Sequence, residues 1–289
     1  MPTKIEKDLY TGMETTGHEW DGIQELNRPL PRWWLYILYA TILWSIAYYI
    51  LYPAIPWVSG HSEGLIGYSS RVEVAERIVE ARRAQAGFRD RIDASELDEI
   101  RADQALFDFA MAGGRAVFAD NCAPCHGTGA AGAKGYPSLV DDNWLWGGTV
   151  DDVHQTLLYG IRADNDDTRA NDMPAFGALE MLTASEVEDV ADYVLSLGGG
   201  GGDAAAVERG AVVFADQCTA CHGEDGGGIA ELGAPSLNDA IWLYGGERAD
   251  IVQSITKGRA GMMPAWIDRL DAPTIKMLAI YVHALGGGQ

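Results

Sequence analysis

Hydrophobic and polar positions divide the chain into unlike stretches. Residues 33–55, WWLYILYATILWSIAYYILYPAI, carry no charge. As a helix this run would reach about 35 Å, enough for a hydrocarbon layer of about 30 Å. Trp33, Trp34 and Trp57 stand at its two ends, as interfacial belts do. A buried core helix is the competing reading, and the length and missing charges weigh against it. A cleaved signal peptide does not fit, because the run is too long, starts late and lacks a small-residue cleavage site. The pattern predicts an uncleaved transmembrane helix over 33–56 behind a segment of residues 1–32. Beyond it, residues 69–110 are rich in Arg, Glu, Asp and Ala, with Val72, Ala75, Ile78 and Val79 at helical spacing. Residues 57–110 therefore read as a polar, largely helical linker.

The rest of the chain repeats itself. GRAVFADNCAPCHG from 114 matches GAVVFADQCTACHG from 210, and PSLVDDNWLWGG from 137 matches PSLNDAIWLYGG from 235. ADYVLSLGGG from 191 matches AIYVHALGGG from 279. Two copies in the same order mean one duplicated domain, predicted at 111–199 and 203–289, with GGGGG at 198–202 as the hinge. Each copy opens with a helix carrying Gly114 and Phe118, or Gly210 and Phe214, four apart on one face. Each closes with another helix: T-A-S-E at 183–186 is a capping box, and Asp271 and Pro273 suit a first turn. The glycines would let the opening helix approach the closing helix near Tyr193 or Tyr281. The expected fold is all-α: one N-terminal transmembrane helix, then two tandem helical domains whose loop-rich middles leave a thin core.

Charge narrows the partners. The formal net charge is -21, which argues against nucleic acid and suits a basic protein partner. Lys4, Lys7, Arg28 and Arg32 precede the apolar run, and the first basic residue after it is Arg71. The positive-inside rule then puts the N-terminus in the cytoplasm and the repeats outside it, in a periplasm if the cell is Gram-negative.

All four cysteines lie in two C-x-x-C-H motifs, Cys122-Cys125-His126 and Cys218-Cys221-His222. A thioredoxin-like pair needs a βαβ setting and no following histidine; a zinc site would need both pairs to converge. Covalent haem attachment uses both thiols and the adjoining histidine as an axial ligand, so the pattern predicts two covalently bound haem c. A methionine thioether as sixth ligand raises the potential. Met173 in NDMPAFG and Met263 in GMMPAW are the candidates, with Met262 the rival of Met263. Met181 and Met277 have no such counterpart and read as core residues. His154 and His283 lack repeat partners and read as non-ligands. Sequence order implies that each copy ligates its own iron; an exchange of methionines between copies stays open. Trp144 and Trp242 match across the repeat and either donate to haem propionates or pack on the porphyrin. Arg162 and Arg259 are further candidates for the propionates.

The whole pattern resembles the dihaem cytochrome c subunit of cbb3-type cytochrome c oxidases, the CcoP or FixP family. The resemblance rests on DGIQELNRPLPRWW at 21–34 ahead of one membrane helix, the charged spacer, two C-x-x-C-H domains, both Met-Pro-Ala loops and the terminal YVHALGGG. It implies that Cys122, Cys125, His126, Cys218, Cys221 and His222 bind the haems, with Met173 and Met263 as axial ligands of the iron. It implies an electron-transfer role in a bacterial inner membrane, from a soluble or membrane-bound cytochrome c toward a monohaem subunit. A separate haem b and copper subunit reduces oxygen and pumps protons, so no catalytic centre is expected in this chain. The competing reading is a free-standing, membrane-tethered electron shuttle serving other reductases; a mere tether does not need the N-terminal stretch. A haem sensor or peroxidase would need an open iron position, against which two Met-Pro loops argue.

Overall fold

The computed structural model describes residues 4–286. They form two compact bodies, one ending at Arg82 and the other beginning at Arg83.

The first body opens with an antiparallel hairpin of β1 (Thr15–Trp20) and β2 (Ile23–Leu26). Its tip is Asp21-Gly22, both at positive φ. Asp-Gly suits such a tight turn, because the primed turns match the twist of the strands. Helix α1 (Arg32–Leu51) follows. It buries none of its residues, and among the described residues it is the one helix long and apolar enough to cross a membrane. Twenty residues span about 30 Å. The chain leaves the helix at Tyr52, which is extended because Pro53 follows it. The helix therefore ends before the predicted residue 56, and Pro56 and Trp57 instead form β3, paired with β4 (Gly60–His61). These hairpins are small additions to a mostly helical chain.

A long helix, α2 (Ser70–Ala94), runs across the division between the bodies. The second body continues with α3 (Leu97–Ala102), α4 (Gln104–Asn121) and α5 (Ala123–His126). After a loop come α6 (Val150–Tyr159) and α7 (Ala184–Leu197). The second copy gives α8 (Ala204–Gln217), α9 (Thr219–His222), α10 (Arg248–Lys257) and α11 (Ala272–His283). The capping box forms as the sequence predicts, with Thr183 and Glu186 exchanging hydrogen bonds with each other's backbone N–H. Asp271 caps α11 through the N–H of Thr274.

The two sequence copies do not pack as two self-contained units. The closing helix of the second copy, α11, lies against the opening helix of the first, α4, and also against α6. The closing helix of the first copy, α7, lies against α8 and α10 of the second. The close approaches that the glycines predicted are real. A Cβ on Gly114 would lie 2.5 Å from the Met277 carbonyl oxygen and 2.5 Å from the Tyr281 Cβ. A Cβ on Gly210 would strike the Asp189 carbonyl and come within 2.9 Å of the Tyr193 Cβ. Phe118 tilts against Tyr281 with ring centroids 5.5 Å apart, and Tyr193 against Phe214 at 5.1 Å.

The connector explains the exchange. Only Gly198–Asp203 separates α7 from α8, and so short a loop makes consecutive helices antiparallel neighbours. The glycine run is the turn of a helical hairpin rather than a hinge between domains. Ion pairs reinforce the crossing. Arg248 of α10 grips Asp192 of α7 through Nε at 2.7 Å and Nη2 at 3.0 Å, and also bonds Glu188. Arg209 of α8 holds Asp189 at 2.6 and 2.7 Å.

Two apolar clusters result. The first gathers Ile100, Phe118, Cys122, Leu157 and Leu278, the second Phe176, Val190, Phe214 and Ile255. Met277 is buried in the first, as expected, but Met181 is half exposed, because it sits on the turn before α7 rather than on a packed face.

Candidate functional site: two C-x-x-C-H sites with crossed methionines

Each C-x-x-C-H motif caps the end of an opening helix. Cys122 is the C-cap of α4 and the N-cap of the single turn α5, which ends on His126; Cys218 and His222 repeat this at α8 and α9. His126 Nδ1–H donates to the carbonyl of Pro137 at 2.9 Å, and His222 Nδ1–H to that of Pro235 at 2.9 Å. A carbonyl only accepts, so Nδ1 carries the proton and Nε2 keeps its lone pair for a metal. Burial holds both imidazoles below the usual histidine range, which favours the neutral, ligating form. These proline carbonyls belong to the repeated P-S-L element. The repetition was visible in sequence, but their role was not, because a backbone acceptor leaves no residue-type signal.

Burial pushes the thiols of Cys122 and Cys218 up to about 11. That setting favours uncharged sulfur, the state of a thioether rather than of a zinc-bound thiolate. Among the described residues no three of His, Cys, Asp and Glu come together to hold a metal ion. The two pairs therefore do not converge on one zinc.

The methionines lie where the helices crossed. Met263, from the second copy, packs on the first cluster, which contains Cys122 and against which Trp144 also packs. Its N–H and carbonyl pair with Ile161, just beyond α6, at 3.0 and 2.9 Å. Met173, from the first copy, packs on the second cluster, as do Cys218 and Trp242, and its backbone pairs with Arg259, just beyond α10, at 2.9 and 3.0 Å. Gly160 and Gly258 let these loops come close. Both have positive φ, and a Cβ on either would lie within 3 Å of the Met-Pro-Ala backbone of the other copy. Each Met-Pro-Ala loop thus packs on the cluster that holds the first cysteine of the other copy's motif. Met262 is 72% exposed, whereas Met263 packs on the core.

The remaining candidates separate. Trp144 and Trp242 each pack on their own cluster. His283 is buried in α11, and His154 is half-buried in α6, where desolvation lowers its pKa. Arg162 is tied to the Gly261 carbonyl at 2.6 Å and to that of Asn171. Each half thus offers an imidazole, a methionine and the two cysteines of its motif, the first of them set in an apolar cluster. That donor set fits a c-type haem, and fold and site together define a membrane-anchored c-type cytochrome.

The comparisons specify which. Residues 12–59 match the family model of the N-terminal domain of cytochrome oxidase-cbb3, FixP. Residues 109–194 and 205–282 each match that of cytochrome C oxidase, cbb3-type, subunit III. The chain is 52% identical to a cbb3-type cytochrome c oxidase subunit CcoP of Azospirillum brasilense, over 98% of this chain and 99% of the relative. It is 50% identical to a FixP subunit of Bradyrhizobium diazoefficiens, over the full length of both. Against a CcoP subunit of Cereibacter sphaeroides the identity is 49%, again over both full lengths. The chain belongs to the CcoP/FixP family of cbb3-type cytochrome c oxidase subunits.

Proposed function

We propose that this chain carries two covalently bound haem c and relays single electrons from a cytochrome c donor, by way of a monohaem subunit, toward the haem b and copper subunit of a cbb3-type oxidase. The haem supplies a one-electron Fe(II)/Fe(III) couple; the chain's residues hold and shield it. Cys122 and Cys125 attach the first haem and Cys218 and Cys221 the second. His126 and Met263 would hold the iron of the first haem, His222 and Met173 that of the second. The observation that carries this pairing is the reciprocal backbone staple, Met263 on Ile161 and Met173 on Arg259. The proline carbonyls fix each imidazole's orientation and tautomer, and the stapled loops hold each thioether in place. With an imidazole and a thioether both on the iron, oxygen would find no open position and the change of oxidation state would need little rearrangement. No bond of a substrate changes in this chain.

The basic residues ahead of α1 support a cytoplasmic N-terminus and periplasmic haem domains in a bacterial inner membrane. Purification from native membranes tests the reading. Two haem additions in the mass of this chain, b-type haem and copper in the same preparation, and oxygen uptake driven by reduced cytochrome c are the expected results. A pure preparation of this chain alone with a single haem would refute it.

A further inference from the structure

Arg162 and Arg259 lie near matching places in sequence, but in space the counterpart of Arg259 is Arg169. Arg259 lies 4.1 Å above the ring of Tyr244, and Arg169 lies 5.4 Å above that of Trp146. Trp146 and Tyr244 hold the same place in WLWGG and WLYGG. In the second copy the arginine directly follows Gly258. In the first, Ile161 follows Gly160, and residues 162–172 fold back so that Arg169 bridges to Ile161 and its N–H reaches the Gly160 carbonyl at 3.3 Å.

The two guanidinium groups are not equivalent. Arg259 places Nε and Nη2 on the Ser254 hydroxyl at 3.0 and 2.8 Å. The Arg169 side chain is only 10% exposed. Its Nη1 donates to the Trp146 carbonyl at 2.7 Å, and its Nη2 reaches the Asp152 carbonyl and Gln155 Oε1, each at 3.3 Å. The Asp152 carboxylate is 3.5 Å away. Arg169 Nε is buried with no acceptor. A second buried donor without an acceptor, Trp266 Nε1, sits in the first cluster with Cys122 and Met263. Its counterpart in M-P-A-F is Phe176, which has no polar atom. Among the described residues the other unpartnered buried side-chain atom is Thr16 Oγ1, in the N-terminal hairpin. Trp266 lies in the first cluster, and Arg169 bonds Asp152 and Gln155 of α6, whose Val153 and Leu157 lie in that same cluster; such unpartnered donors are costly unless an acceptor is supplied. Haem brings two carboxylates, which only accept.

We propose that Arg169 is the buried cation that receives the carboxylates of the haem held by His126, with Trp266 Nε1–H as a second donor. The inference rests on the dihaem reading above. A positive charge shielded from water favours the added electron, so Arg169 raises the potential of the first haem relative to the second.

The test is a spectroelectrochemical titration of the full chain, with haem content measured on each variant. Arg169→Gln lowers one midpoint by about tenfold in the reduction equilibrium, ~59 mV for one electron, and leaves the other in place. Arg169→Lys keeps most of the wild-type value. Arg162→Gln changes neither midpoint, and Arg259→Gln moves the other one. With two haems bound, an unchanged Arg169→Gln titration overturns the proposal, as does a lysine variant that falls as far as the glutamine variant. If Arg169→Gln does not load haem, Trp266→Phe decides: a fall in the same midpoint supports the proposal and no change overturns it. A wild-type chain with fewer than two haems would sink the dihaem reading, and the inference with it.

Discussion

Adjacent glycines in α4 give a sharp test of the crossed packing. A methyl group on Gly113 would meet the Met277 Sδ at 2.8 Å and Cε at 3.2 Å, the free end of a flexible side chain. A methyl group on Gly114 would meet the Met277 carbonyl oxygen and the Tyr281 Cβ, each at 2.5 Å, on the backbone side of α11. Relief there means moving one helix by about 1 Å, and overpacking of this kind costs about 1–3 kcal/mol. Alanine in place of a helical glycine returns at most about 1 kcal/mol. Gly114→Ala should therefore lose about 1–2 kcal/mol, whereas Gly113→Ala should be neutral or gain a little. For a body of this size that loss is a fall in Tm of roughly 2–8 °C. Thermal unfolding of the purified chain, followed by circular dichroism, reads both. Because α11 follows the Met263 loop, Gly114→Ala should also weaken the methionine signal of the first haem before that of the second. Equal melting of the two variants would refute the reasoning.

Other outcomes follow from the same contacts. The hydrogen bonds from Arg248 hold the carboxyl of Asp192 below its usual range. The folded pKa is thus below the unfolded one, and the pair stabilises above about pH 4 and fades as pH falls further. Arg248→Ala should cost about 1–2 kcal/mol at neutral pH, discounted from the buried-pair range because Arg248 is partly exposed, and denaturant melts of variant and wild type should converge near about pH 3. Lys276 donates to the carbonyls of Ile92, Asp93 and Ser95 at 3.3, 2.8 and 2.8 Å. Lys276→Met should leave those acceptors unpaired, cost about 1–3 kcal/mol and speed hydrogen exchange at the end of α2. The net charge of -21 should steer a basic electron donor, so reduction by such a cytochrome should slow as ionic strength rises; a salt-independent rate would count against steering.

Much of this architecture was legible because it repeats or because it is extreme. The uncharged run gave the membrane helix, and the caps at Thr183 and Asp271 gave the starts of α7 and α11. The C-x-x-C-H motifs pointed to c-type haem, because few chemistries need that residue order. Which copy packs on which was harder to read. Hydrophobic stripes on α4 and α8 are so alike that either accepts either closing helix. The available signal was the short connector between Leu197 and Ala204, where a hinge and a helical turn differ only in length. The N-terminal hairpin also had a signal, Asp21-Gly22, which the surrounding polar sequence obscured. Arg169 was missed because the first copy delivers it through a longer loop, so that alignment by position pairs Arg259 with its neighbours instead.

The central claim is that each methionine serves the haem of the other sequence copy. The most direct measurement uses a chain with Cys218→Ala and Cys221→Ala, which leaves attachment only at Cys122 and Cys125, and follows the methionine-to-iron charge-transfer band of the oxidised haem. The crossed packing predicts that adding Met263→Ala abolishes the band while adding Met173→Ala leaves it intact. Loss of the band with Met173→Ala, and its survival with Met263→Ala, would contradict it.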